Sequence, residues 1–203
     1  VTQLAHHPQL GALLLVDHRV SLSMVNAPAV ALGVAPRSSS AVVVALTGPP
    51  DVRLLARTHV DLVSDDLPAQ AYHAAASLPP AQAERLVQRW AEEAVTSAEA
   101  CFAELMKDRR VVAVGIAAVV RAVPALDVVL RSHPLLHLAE GQLAREALAE
   151  AATRAGLPVY YLDPKGRHDP AAVEQTVALG RTAGPPWRKE HRMAALAALG
   201  AFH

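Results

Sequence analysis

The stretch Asn26–Thr47, "NAPAVALGVAPRSSSAVVVALT", divides at its run of serines. Its second half, Ala41–Thr47, is an unbroken apolar run bounded by Ser38–Ser40 on one side and "GPPD" on the other. Such a run is the pattern of a strand buried on both faces. Its first half is interrupted by Pro28, Gly33 and Pro36 and reads as a connector, because these residues punctuate regular structure. Downstream, "VRLLARTHVDLV" (Val52–Val63) alternates apolar and polar positions and predicts a half-exposed strand. The connection between the two strands is too short for a parallel crossover, so they are expected to pair antiparallel. Upstream, "ALLLVDHRVSLSMV" (residues 12–25) reads as two short strands around Asp17-His18-Arg19. The boundaries that follow are N-terminal strands and connector over 1–36 and an α/β domain over 37–203.

Beyond the hairpin the hydrophobic period lengthens. Residues 69–107 read as helical, with a break at "LPP" where proline suits a helix first turn. Within it, Leu86, Trp90, Val95, Cys101, Phe102 and Leu105 fall near one side. "RRVVAVGIAAVV" predicts a second buried strand running to Arg121, and residues 125–155 a further helix stopped by Gly156. "PVYYLDP" reads as a third buried strand, and two helices follow, separated by "AGPP". Strands alternating with helices after an initial hairpin predict a three-layer α/β fold, a mixed sheet with helices on both faces.

Composition narrows the function classes. With 52% hydrophobic and 19% charged residues, the chain can bury a core that offsets its conformational entropy. Aromatics are 3%, too few for the stacking platforms that bind single-stranded nucleic acid. Lysine plus arginine and aspartate plus glutamate both number 19, so there is no global basic excess of the kind that coats phosphate backbones. The single cysteine, Cys101, excludes an internal disulfide and a Cys-based zinc site, and its apolar neighbours indicate a buried thiol. No apolar run is long enough for a membrane span and no signal peptide is read, so a cytoplasmic location is expected. The Ala-, Arg- and Val-rich texture is that of a GC-rich bacterial genome. P-loop, dinucleotide, nucleophile-elbow and H-E-x-x-H motifs are all absent.

Four places could carry chemistry. His133, His137 and Glu140 share one helix face and offer nitrogen and oxygen ligands for zinc or manganese. The structural alternative is that Ser132 or His133 caps the helix while His137 and Glu140 pair with a neighbour such as Arg145. Gly141, inside a strong helical pattern, points to close approach by a ligand or simply to helix–strand packing. "THVDLVSDDLPAQAYH" brings His59, Asp61, Asp65, Asp66 and His73 together, as oxygen ligands for a cation or as acids capping the next helix. Arg188, Lys189, His191 and Arg192 form the densest basic cluster, with Glu190 in the same helix start; this suits phosphate contact or a solvated helix end.

The succession "AVVVALTGPPDVRLLARTHVDLV", "VVAVGIAAVV", "HLAEGQLAREALAEAATRAGLPVYYLDPKGRHDPAAVEQTV" and "RKEHRMAALAALGAFH" resembles the ribonuclease H-like fold in its RuvC-type resolvase version. That resemblance implies carboxylates on the first strand, at the end of the central strand and in the last helix, holding two metal ions for phosphodiester hydrolysis. The first strand offers Ala45, Leu46 and Thr47 instead, with Asp51 beyond the turn, and the central strand ends at Arg121. Only Glu190, and more loosely Glu140, could stand in. If "ALLLVD" were the first strand, Asp17 would occupy the acid position.

Three readings follow. The first is a ribonuclease H-like binding or scaffold domain without catalytic acids, with His133, His137, Arg145, Arg188, Lys189 and Arg192 as contact residues and nucleic acid or a protein as partner. The second is a metal-dependent hydrolase or nuclease using Asp17, Glu140, Glu190 and nearby histidines, the one reading that requires a divalent metal. The third is a small-molecule-binding domain with its pocket at strand C-termini, near Arg121 and Asp163. The Ala-rich helices are compatible with self-association.

Overall fold

The computed structural model describes residues 27–202. The strands expected over 12–25, and Asp17 with them, lie outside the described residues. Five strands, β1 (Ala29–Pro36), β2 (Ser40–Thr47), β3 (Leu54–Asp61), β4 (Arg110–Ile116) and β5 (Val159–Tyr161), form one mixed sheet in the order β3-β2-β1-β4-β5. The helices are α1 (Ala71–Ala75), α2 (Pro80–Met106), α3 (Leu126–Val129), α4 (His133–Arg154), α5 (Pro170–Ala183) and α6 (Lys189–Gly200). None of the described helices is long and apolar enough to cross a membrane.

The expected hairpin of β2 and β3 is present and antiparallel. The first correction concerns its neighbour: Ala29–Pro36 is no connector but the middle strand of the sheet. It pairs antiparallel with β2 and parallel with β4. The boundary expected between residues 36 and 37 therefore falls inside the sheet. Gly33, a breaker by local pattern, sits in the strand because another backbone comes close there, a recognised use of strand glycine. A Cβ on Gly33 would lie 1.8 Å from the Ala194 carbonyl oxygen of α6. Its cross-strand partner Gly115 would place one 1.9 Å from the Ala197 carbonyl oxygen. Pro36, which lacks an N–H, stands at the last position of the strand, where its loss of a ladder donor matters least.

Two further expectations are corrected. β4 leaves the sheet after Ile116 rather than running to Arg121, although Ala117 N still donates to Val34 O (2.8 Å). Beyond Ile116 the adjoining β1 has only Ala35 and Pro36 left to offer, and Val119 and Val120 are exposed. β5 is a three-residue edge strand paired only to β4, so Tyr160 and Tyr161 are exposed rather than buried.

Because successive strand residues point to opposite faces, the sheet builds two cores. Val30, Leu32, Val34, Val43 and Ile116 meet α2 and α4 through Trp90, Phe102, Leu143 and Leu148. Ala31, Ala35, Val42, Val44 and Ala113 meet α5 and α6 through Leu179, Ala194, Ala198 and Leu199. The result is the expected three-layer arrangement. Gly156 ends α4 at φ +73°, in the left-handed region glycine enters without strain. The loop before α6 is tied to the sheet edge by Arg57 of β3, whose guanidinium donates to the carbonyls of Gly184, Pro185 and Pro186 at 2.8, 3.1 and 2.9 Å.

Candidate functional site

Parallel strands β1 and β4 end side by side, and the chain diverges from them in different directions, which leaves a crevice at their C-terminal ends. A cleft of about 490 Å³ lies there, floored by Ala35, Ala117 and Ala118. α4 contributes Arg145, the segment after β4 contributes Arg121, the turn after β5 contributes Asp163 and Lys165, and the start of α6 contributes Lys189, Glu190 and Met193. Arg121 and Asp163 thus share one crevice, as the third reading expected.

Its charges are unbalanced. Among the described residues, four cationic side chains, Arg121, Arg145, Lys165 and Lys189, line the cleft against two carboxylates, Asp163 and Glu190. Both carboxylates have partners already. Glu190 Oε1 accepts from the Arg37 guanidinium at 3.0 Å. Its own backbone amide, and then the charges of Arg37, His191 and Arg188, hold its carboxyl below the usual range. Asp163 Oδ1 accepts from the backbone N of Lys165 at 2.8 Å, closing its own turn. Burial, reinforced by the neighbouring Arg121 guanidinium, pushes Arg145 below the usual guanidinium value. Two like charges brought together in this way favour an anion between them.

Gly141 now has a physical explanation that neither expectation contained. A Cβ there would meet Arg145 Nη2 at 3.1 Å, so the guanidinium folds back across the bare glycine one turn earlier in α4. Arg145 therefore does not pair with His137 or Glu140. Gln142, 2% exposed, accepts through Oε1 from the Arg121 backbone N at 3.1 Å and fixes the wall of the cleft.

His133 and His137 stand together on α4 with their Nε2 atoms 3.1 Å apart. The third group beside them is His73 of α1, not the carboxylate that the spacing offered. Glu140 is 2% exposed and lies behind His73: its Oε1 accepts from the His73 backbone N at 3.0 Å and lies 3.2 Å from His73 Nδ1. Glu140 and Glu190 thus have different surroundings, one against α1 and the other at the cleft. Ser132 is the N-cap of α4 but makes no side-chain capping bond, and Gln70, not Asp65 or Asp66, precedes α1. Arg188 and Arg192 are exposed beside Lys189, and the Arg188 backbone N donates to His191 Nδ1 at 3.2 Å. Lys165, Arg37 and the role of His73 were not singled out from the sequence. The one available signal was that loops following parallel strands converge at their C-terminal ends.

The described residues of this cleft do not fit the two-metal carboxylate site implied by the resemblance. Neither β1 nor β4 carries an acid, and the two carboxylates at the cleft already have cationic or backbone partners. Two-metal chemistry requires several oxygen ligands around ions about 4 Å apart.

No protein-family model matches the chain, and no curated protein matches it in sequence. Among solved structures it is similar to Thermus thermophilus RuvC, with a TM-score of 0.50 and 17% identity, covering 84% of this chain and 91% of that one. The T. thermophilus RuvC in complex with Holliday junction substrate is also similar, with a TM-score of 0.49 and 20% identity over 84% of this chain and 90% of that one. Together with the β3-β2-β1-β4-β5 mixed sheet covered on both faces, the likeness at a TM-score of 0.50 shows that the chain has an α/β ribonuclease H-like fold with a distant RuvC-type resemblance.

Proposed function

We infer that the chain is a ribonuclease H-like binding domain that holds a phosphodiester backbone in the cleft between β1 and β4 without cleaving it. The observation that carries this reading is the charge of the cleft: four cations face two carboxylates that already have partners. Arginine is suited to such a role because its planar fork matches phosphate oxygens in pairs. Arg145 is prepositioned over Gly141, and Lys189 projects from the start of α6, where the helix dipole also favours an anion. The chain's zero formal charge means that this binding is local, a site rather than a coating.

The test is a titration of fluorescent duplex and branched DNA at two salt concentrations, with and without Mg²⁺. Binding is expected to weaken steeply with salt, and Arg121→Ala and Arg145→Ala are each expected to weaken it severalfold and flatten the salt slope. DNA is expected to remain intact in Mg²⁺ or Mn²⁺. Cleavage abolished by Glu190→Gln would instead establish the hydrolase reading. Salt-insensitive binding, or none, would remove the polynucleotide reading. A small phosphorylated ligand is the second reading, because the cleft volume lies within the range of small-molecule pockets. Competition by a mononucleotide at far lower concentration than DNA would favour it.

A further inference from the structure

We propose that His73, His133 and His137 form a binding site for one zinc-class transition-metal ion, with Glu140 orienting His73 from behind. One nitrogen from each imidazole lies within 4.8 Å of the other two. The pair on α4 is closer still, with His133 Nε2 and His137 Nε2 at 3.1 Å. Zinc–nitrogen bonds of about 2.0–2.1 Å in a tetrahedron separate two ligand nitrogens by about 3.4 Å, so this pair is already at ligating distance. The spacing of four residues on α4 makes this possible, because it stacks the two side chains on one helix face.

The contact behind His73 distinguishes the cluster from three surface histidines that happen to meet. His73 Nδ1 lies 3.2 Å from Glu140 Oε1, within hydrogen-bond distance, so the carboxylate can hold the ring from this nitrogen. A ring held through Nδ1 in this way has its Nε2 as the remaining nitrogen for a ligand. The backbone N of His73 donates to the same oxygen, so backbone and ring are held together. Metal-bound histidines are commonly backed by a carboxylate on the second ring nitrogen, which fixes the ring and strengthens it as a ligand.

The site also accounts for Glu140 itself. A buried carboxylate is costly unless its charge is compensated. Glu140 is 2% exposed and, among the described residues, its Oε2 is buried without a hydrogen-bond partner and its one side-chain partner is the His73 ring. A divalent ion bound by the three imidazoles would bring positive charge beside that buried carboxylate. Three nitrogens, with no carboxylate or thiolate grouped with them among the described residues, select zinc, cobalt, nickel or copper over magnesium and calcium. His133 and His137 are exposed, so the fourth position opens outward, to water or to an anion. The site rests on α1 and α4 and on none of the cleft's cations, so it stands or falls independently of the phosphodiester reading.

The experiment strips the 203-residue protein with a chelator and titrates it with Zn²⁺, and with Co²⁺ to read the visible absorption of a low-symmetry four-coordinate ion. One equivalent is expected to bind and to raise the melting temperature. His133→Ala/His137→Ala, at exposed positions that should leave the fold intact, is expected to lower affinity at least 100-fold and abolish the thermal shift. Glu140→Gln is expected to lower affinity about 10–100-fold, the usual effect of losing a carboxylate behind a ligand. His59→Ala/His168→Ala is expected to change nothing. The sequence also contains the pair His6-His7, so His6→Ala/His7→Ala serves as a control. No binding, or binding that survives His133→Ala/His137→Ala and disappears with His6→Ala/His7→Ala, overturns the proposal.

Discussion

The two faces of the sheet are assembled by opposite rules. Toward α2 and α4 the contact is made by large side chains: Trp90, Phe102, Leu32, Leu148 and Ile116 are fully buried there. Toward α6 it is made by the absence of side chains. Gly33 and Gly115 lie under the Ala194 and Ala197 carbonyls, and Ala198 fills what little space remains. One face resists losing atoms, the other resists gaining them. The difference has a functional consequence, since the close seat of α6 brings Lys189 and Glu190 to the strand ends, while α4 on the bulkier face brings Arg145.

The largest effect should come from filling the bare face. Gly115→Val places its side chain against the α6 backbone, which cannot yield as a flexible side chain would. The expected loss is more than about 5 kcal/mol, seen as insoluble protein on expression. A soluble Gly115→Val protein with an unchanged melting point would show that α6 does not sit on the sheet as described. On the opposite face the damaging change is a deletion. Phe102→Ala should cost about 3–5 kcal/mol in a denaturant titration, with the cavity contributing alongside the lost transfer energy.

Gly141→Ala sharpens the comparison at the cleft, because here the neighbour is the movable tip of Arg145. The substitution should add up to about 1 kcal/mol of stability from helix propensity. It should simultaneously weaken anion binding by displacing the guanidinium. Equal affinity in both proteins would mean that Arg145 needs no seat on Gly141.

The smallest effect is expected from pH at the start of α6. His191 is held below its ordinary value by burial and by the nearby Arg57 charge, and its Nδ1 accepts from the Arg188 backbone N. A histidine with a lowered folded pKa binds fewer protons folded than unfolded. Its contribution to stability is therefore complete above the unfolded value of about 6.5 and falls as pH drops toward the lower folded value. Wild-type protein should lose stability modestly over that window, and His191→Gln should flatten the slope. Identical slopes would remove His191 from the account.

Legibility in the sequence tracked how far a residue's role depended on its neighbours in the chain. β2, β3 and the long helices were readable because apolar runs and helical spacing are local properties. β1 was misread because Gly33 and Pro36 are breakers in isolation and become assets only beneath α6 and at the end of a strand. The histidine pair on α4 followed from its spacing, whereas His73, 67 residues from the Glu140 that holds it, did not. Among the cleft residues, Arg121 and Asp163 were reachable from the tendency of α/β ligand sites to lie at strand ends. The ion pair of Arg37 with Glu190 was not, since its partners lie 153 residues apart, and Lys165 enters the cleft only because the turn closed by Asp163 brings it there.

By itself the sequence determined the alternation of strands and helices, enough apolar residues for a sizeable core, and the lack of acids on the runs that become β2 and β4. Those follow from periodicity and composition, which a single segment carries alone. Only the tertiary structure decided that Ala29–Pro36 is the middle strand, that four cations converge at the ends of β1 and β4, and that a third imidazole completes the pair on α4. Each of these depends on distances between segments far apart in the chain, and no local pattern encodes them.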